Sequence, residues 1–320
     1  MPDTLNYYQK NNSKKGLIID RIAKNIFLSM AILSSSFIII IAGIILVRGI
    51  IPFTTDNLGI GRVSLLRFLT GNTWLIGQTF ASNLYSIGFI IASTLFITIL
   101  SLLISFPVGV LTALFIAKVA PPSLAKILRT VVETLASIPS IVFGLFGAGV
   151  ILKIVYDFSA LIGYQSKGGN SILSVVIVLA LMTIPTITTI SEVAIRSVDQ
   201  SIERGSLALG ASKTQTNFKV VLSSAKSGIF TAAILGIGRS LGEATAVSLV
   251  AGGRRSGFSF DLLDTTSTLT TIMLEGLKET TGIDYDIRFS VGLVLMVVIL
   301  LTNLLLNAVK RRVGVVNVKE

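Results

Sequence analysis

The chain contains no cysteine and no histidine. Thiol redox chemistry, Cys/His metal sites and histidine-based triads are therefore excluded. Charge is scarce as well. Only 13% of the 320 residues are charged, against about 25% in a typical soluble domain. Apolar residues take their place: 52% of the chain is hydrophobic, with a mean hydropathy of +0.84. This composition implies a polytopic membrane protein. The net charge of +11 would suggest nucleic acid in a soluble chain. Here the basic residues flank the apolar runs, so membrane topology explains them and no nucleic-acid partner is expected. The polar stretch Met1–Lys15 and the length of the first apolar run argue against a cleavable signal peptide.

Six apolar runs are each long enough to span a bilayer. They predict an all-α membrane protein with helices over about 26–47, 88–117, 130–155, 172–193, 228–251 and 289–309. Residues 1–25 read as a cytoplasmic arm ending in an interfacial helix over Leu17–Asn25, and 48–87 as an outer loop with Trp74 at an interface position. Residues 194–227 form a cytoplasmic loop inside the 88–309 core, and 310–320 a cytoplasmic tail. Basic residues number 5, 3, 5 and 4 in the arm, Lys118–Arg129, Arg196–Lys226 and the tail. They number 3, 2 and 4 in the three intervening loops. The positive-inside rule then places both termini in the cytoplasm. The acid-rich loop Gly252–Arg288 is either a docking surface for a soluble partner or a solvated loop.

Arg239 is the anomaly. It falls near the middle of the fifth run, where a cation costs about 2.5–3.5 kcal/mol on insertion scales. Glu243 follows four residues later, on the same face of a continuous helix, and the two can pair. A cation in a membrane interior suits an anion in transit. The plainer reading is a packing salt bridge, with Gly236, Gly238 and Gly242 allowing close helix approach. Ser137, Ser140, Thr183 and Thr186 flank Pro139 and Pro185 in the third and fourth runs. They could donate to the same anion or serve ordinary helix–helix hydrogen bonds.

The loop Arg196–Lys226 reads as two short helices around Gly210, which can take the left-handed conformation that ends a helix. Ser212 can cap the next one, Lys213–Leu222. Gly205-Ser-Leu-Ala-Leu-Gly210-Ala-Ser212 has the spacing of a phosphate-binding loop, but Ala211 stands where the lysine is required. The chain is thus expected to hold no cofactor of its own, and any ATP and Mg must be bound by another chain.

The same loop resembles the E-A-A-x-x-x-G-x(9)-I-x-L-P signature of ABC importer permeases. Arg204-Gly-Ser-Leu-Ala-Leu-Gly210 is followed after nine residues by Val220-Val-Leu-Ser223. Gly210 and Leu222 match; Arg204 and Ser223 depart from the pattern. Val132-Glu-Thr-Leu-Ala-Ser-Ile-Pro-Ser-Ile-Val-Phe-Gly-Leu-Phe-Gly147 and Leu235-Gly-Ile-Gly-Arg-Ser-Leu-Gly-Glu-Ala-Thr-Ala-Val247 resemble two segments of phosphate-importer permeases of the PstC type. The resemblance runs from about Leu84 to Arg312.

It implies the type I ABC importer permease fold and a transport subunit in a bacterial inner membrane, not an enzyme. It also implies a PstA-type permease as heterodimer partner, a PstB-type ATPase dimer, a PstS-type binding protein and phosphate as cargo. Arg239 and Glu243 map onto the family's charged pair. Arg204, Gly205, Ser206, Leu207, Gly210, Ala211 and Ser212 map onto its ATPase coupling loop. Alternatives are a permease for another oxyanion such as sulfate or molybdate, and an ion-coupled secondary transporter.

Overall fold

The computed structural model describes residues 14–57, 61–76 and 84–314. The first thirteen residues of the predicted arm and the last six of the predicted tail lie outside them. Among the described residues the chain is helical, with isolated β-bridges and no longer strand. Six helical segments are long and apolar enough to cross a membrane: Ile19–Thr54, Gly88–Val119, Ser140–Leu161, Ile172–Arg196, Lys213–Gly242 and Ile283–Arg312.

Helix α1 (Lys14–Thr54) is a single rod. The predicted interfacial helix and first span are therefore one element. Asp20, Arg21 and Lys24 change which solvent the helix meets, but none of them breaks it. After the short α2 (Leu65–Thr70) comes α3 (Gly88–Leu114), closed by a π turn over Phe115–Val119.

The third predicted span is corrected. Residues 122–137 form a separate amphipathic helix, α4 (Pro122–Ser137). Ile138 is extended and Pro139 starts a new segment, made of α5 (Ser140–Phe146), a π turn (Gly147–Ile151) and α6 (Leu152–Leu161). Lys126, Arg129 and Glu133 charge one side of α4, so Thr130–Ser137 is apolar in sequence but two-faced as a helix.

The central element is α7 (Ile172–Arg196), whose most extensive partner is α3. Gly109 makes that approach possible: a Cβ there would come within 2.7 Å of Ile187. Helix α8 (Gln200–Ala208) and the single turn α9 (Lys213–Gln215) follow. A π turn (Thr216–Val221) then leads into α10 (Leu222–Gly242). The remaining elements are α11 (Thr245–Ser248), α12 (Leu269–Leu274) and α13 (Ile283–Gly314).

The loops at the α2 end are knitted together. Trp74 is fully buried with Phe68, Tyr85, Ile87 and Leu269; its large ring closes a loop core instead of facing outward. The acid-rich loop is not simply solvated either. Its carboxylates have partners: Asp264 with Arg254, Glu275 with Arg255, Asp286 with Arg48 at 3.2 Å, and Asp284 with the Tyr85 hydroxyl at 2.6 Å. Burial alone would raise the Asp264 carboxyl, but the Arg254 guanidinium and the Thr265 amide overrule it and hold it below the usual aspartate value. Burial and the Asp284 acceptor push the Tyr85 phenol upward.

Candidate functional site: a broken helix beside Arg239

Helix α10 stops at Gly242, a residue of low helix propensity. Glu243 is extended, with φ −76° and ψ 123°. Helicity resumes only at Thr245. Backbone groups freed at such a break need partners where water is scarce. Thr270 of α12 supplies one, donating its hydroxyl to the Glu243 carbonyl at 2.7 Å. The Glu243 carboxylate supplies another, accepting from the Ala246 amide at 3.0 Å and the Thr245 hydroxyl at 2.9 Å. Helix α5 lies flush against this corner because Gly144 has no Cβ; one would meet Ala246 Cα at 2.8 Å.

The break overturns the expected Arg239–Glu243 pair. On a continuous helix the two side chains would stack, but the extended residue turns Glu243 off that face. Arg239 lies in the last turn of α10. Its Nη1 donates to Thr186 Oγ1 on α7 at 2.8 Å, its one hydrogen bond among the described residues. One helical position on, Ser240 meets Thr183 at 3.2 Å, hydroxyl to hydroxyl. Ser140 meets Thr245 at 2.8 Å.

Of the six residues expected along the path, the structure therefore brings Arg239 to Thr186, sets Thr183 one position away, and joins Ser140 to Glu243 through Thr245. Ser137 stands apart, donating to the Thr134 carbonyl at 2.7 Å. Ser240, Thr245 and Thr270 were missed. The signal was present as hydroxyl residues inside and beside apolar runs, but nothing in the spacing marks where a helix will open. A Cβ on Gly236 would come within 3.1 Å of Ile187 and Thr183, whereas one on Gly238 or Gly242 would meet nothing within 4 Å. The small-residue face beside Arg239 is thus open on the side away from α7.

At the α8 end, the predicted coupling loop has the expected turn chemistry. Gly210 is left-handed, φ +84°, so a side chain there would be strained. Ser212 caps the next turn, accepting from the Gln215 amide at 3.2 Å, while Gln215 returns the contact to the Ser212 amide at 3.0 Å. The following helix does not end before the fifth span. It runs through the Thr216–Val221 π turn into α10.

Arg204 donates to Gln200 at 3.1 Å, and Ser206 meets Thr216 at 2.9 Å. Gly205 and Gly210 border open space. Leu209 is 90% exposed, with Leu207 and Ile202 also exposed. Ala211 lies between Gly210 and the Ser212 cap, in a turn between helices that no strand precedes. Neither the phosphate-loop lysine nor its strand context is present.

A family model described as "binding-protein-dependent transport system inner membrane component" matches residues 105–315. The chain belongs to that family. The permease is 36% identical over 268 residues to the probable ABC transporter permease protein YqgH of Bacillus subtilis, covering 83% of this chain and 82% of that one. It is 30% identical over 289 residues to the phosphate transport system permease protein PstC 1 of Mycobacterium tuberculosis, covering 81% and 86%.

Among solved structures, a chain of a bacterial alginate ABC transporter, in complex with an alginate pentasaccharide-bound periplasmic protein, aligns with a TM-score of 0.60. The alignment has 19% identity and covers 92% of this chain and 97% of that one. At that identity the likeness shows the fold alone. The permease has the type I ABC importer fold and is a multi-pass transport subunit, of a family that works with ATPase and substrate-binding partners.

Proposed function

We propose that this permease imports inorganic phosphate as one half of a PstC/PstA-type heterodimer. A PstS-type protein delivers the anion and a PstB-type ATPase dimer, which binds ATP and Mg, powers the cycle. Both termini and the α8 end face the cytoplasm, in line with the basic-residue bias. Transport must be driven, because carrying one negative charge inward against an inside-negative potential costs about 2.3 kcal/mol per 100 mV.

The observation that carries this reading is the state of Arg239. It sits at a broken helix, held by a neutral hydroxyl and, among the described residues, by no carboxylate. A guanidinium served only by Thr186 can exchange that contact for a phosphate oxygen without separating an ion pair. Thr183, Ser240, Ser140 and Thr245 place further hydroxyls around the same corner. Glu243 shapes the break and adds negative charge near it, which keeps the anion from binding too tightly. The exposed apolar end of α8, with Leu207 and the Leu209 that follows the helix, is where the ATPase docks. Relatives that are phosphate transport system permeases, at about 30% identity, support the choice of cargo.

The test is uptake of ³²P-labelled phosphate by cells carrying Arg239→Gln. A charge-assisted hydrogen bond contributes about 1.5–3 kcal/mol, so uptake should fall by at least about tenfold at unchanged protein level. Wild-type uptake in that variant would reduce Arg239 to a packing residue.

A further inference from the structure

Helix α8 buries none of its side chains. A cavity of about 150 Å³ lies between it and its neighbours, lined by Lys118, Glu203, Leu207, Lys213, Thr216 and Asn217. A helix seated this loosely cannot pass a displacement on through packing, because close contact is what makes protein interiors stiff. The load must travel through tethers.

Two side-chain tethers are present. Lys118 Nζ donates to Glu203 Oε2 at 2.5 Å, with the side chains only 14% and 27% exposed. Ser206 and Thr216 join their hydroxyls at 2.9 Å. Lys118 belongs to the π turn that closes α3, and Thr216 opens the π turn at the foot of α10. So α8 is tied to the feet of two spans, and α10 is the one that bears Arg239.

The foot of α3 is itself anchored. Arg196, the last residue of α7, donates to the Ile116 carbonyl inside the first π turn at 3.2 Å. A π turn widens the hydrogen-bond ladder and is frequent at functional sites; here the second helix grips it. The ionised tether is the stronger of the two, since charge-assisted bonds are roughly twice as strong as neutral ones. Its partial burial also limits screening by salt.

We propose that Lys118–Glu203 is a positioning contact that carries the displacement of α8 into the α3–α7 body, and that it stays closed through the whole transport cycle. This rests on the reading of α8 as the ATPase docking element.

The chain lacks cysteine, so a Lys118→Cys/Glu203→Cys double variant gives it two addressable thiols. The assembled transporter, with partner permease, ATPases and binding protein, is reconstituted in vesicles. ³²P-phosphate uptake and ATP hydrolysis are then measured together. The double variant should retain its ATPases and hydrolyse ATP, with uptake per ATP reduced about tenfold, the scale of coupling lost at one network residue. Bridging the thiols with a short bis-methanethiosulfonate should restore the ratio to within about threefold of wild type.

A bridged transporter that hydrolyses ATP but imports nothing would show that the contact must open, overturning the proposal. So would an unbridged variant with a wild-type ratio, or one that sheds its ATPases. A wild-type transporter that imports no phosphate would reject the cargo assignment instead. The linkage is then read from ATP hydrolysis stimulated by the binding protein, expected to be lost in the double variant and regained on bridging. Stimulation that persists without the bridge overturns it.

Discussion

Two charged places in the helical core are built on opposite plans. At the foot of α7, Glu192 is 5% exposed. A single oxygen of its carboxylate accepts Arg129 of α4 at 2.5 Å and Arg196 of its own helix at 2.8 Å. Two guanidiniums there share one carboxylate, so each cation has an acidic partner. Beside the α10 break, Arg239 and Glu243 lie four residues apart and are not paired; hydroxyls and backbone answer them. In such a cluster each guanidinium is already paired with a carboxylate, and breaking it strands a charge. A cation bound to a neutral hydroxyl keeps its capacity for a ligand. Both places hold charge in the helical core, but only the first pairs a guanidinium with a carboxylate.

The sharpest way to break this contrast is to neutralise each place and measure both stability and transport. Arg239→Gln, which should cost transport at least about tenfold, should leave the thermal midpoint of the detergent-solubilised permease within about 2 °C of wild type. Glu192→Gln should do the reverse. Removing one partner of a buried cluster costs about 3–5 kcal/mol, and the half-exposed guanidiniums bring this toward about 2 kcal/mol. The midpoint should fall by several degrees, while uptake per folded molecule stays within about threefold of wild type. A Glu192→Gln variant as stable as wild type would show that the cluster is not what holds α4 to α7.

A smaller effect sharpens the second plan. Thr186→Val removes the hydroxyl beside Arg239 while keeping the shape. A neutral partner contributes about 1 kcal/mol, so phosphate uptake should change by less than about fivefold. An effect as large as that of Arg239→Gln would make Thr186 an essential ligand.

The smallest test lies outside the spans, at Arg254–Asp264. The Asp264 carboxyl is held below its ordinary value of 3.8, so the folded state binds its proton less readily than the unfolded chain. This contribution to stability is complete above about pH 4 and is lost as pH falls through the lower folded value. Amide exchange around Thr265–Thr268 should be insensitive to this carboxyl from pH 7 to about 4, after correction for intrinsic rates, and should quicken below that. Loosening already at pH 5–6 would point to a different group.

The spans and the Gly210–Ser212 turn were legible because their causes are local. Length and apolarity fix the first; a left-handed glycine and a capping serine fix the second. The break at Glu243 was not. Hydropathy records solvent preference, and Ala244, Thr245 and Ala246 read as apolar or neutral whether or not the backbone opens between them. What stabilises the opening is Thr270, 27 residues away, a partner no local window contains. The start of the third span was misread for a related reason: the charges of α4 fall on one face, and run length ignores faces. Trp74 went to an interface on its residue type, while its burial follows from three loop segments meeting.

Helix α1 has the proportions of a boom. Its 41 residues extend about 61 Å at 1.5 Å each, twice the thickness of a bilayer's hydrocarbon. It is fastened near one end, where Ser290 donates to the Gly49 carbonyl at 2.7 Å and Arg48 reaches Asp286. From Gly49 to Lys14 is roughly 50 Å, so a tilt of about ten degrees at that hinge sweeps the far tip through about 9 Å. The packing of α1 along α13 sets that tilt, and the Gly49 contact fixes where along α13 it begins.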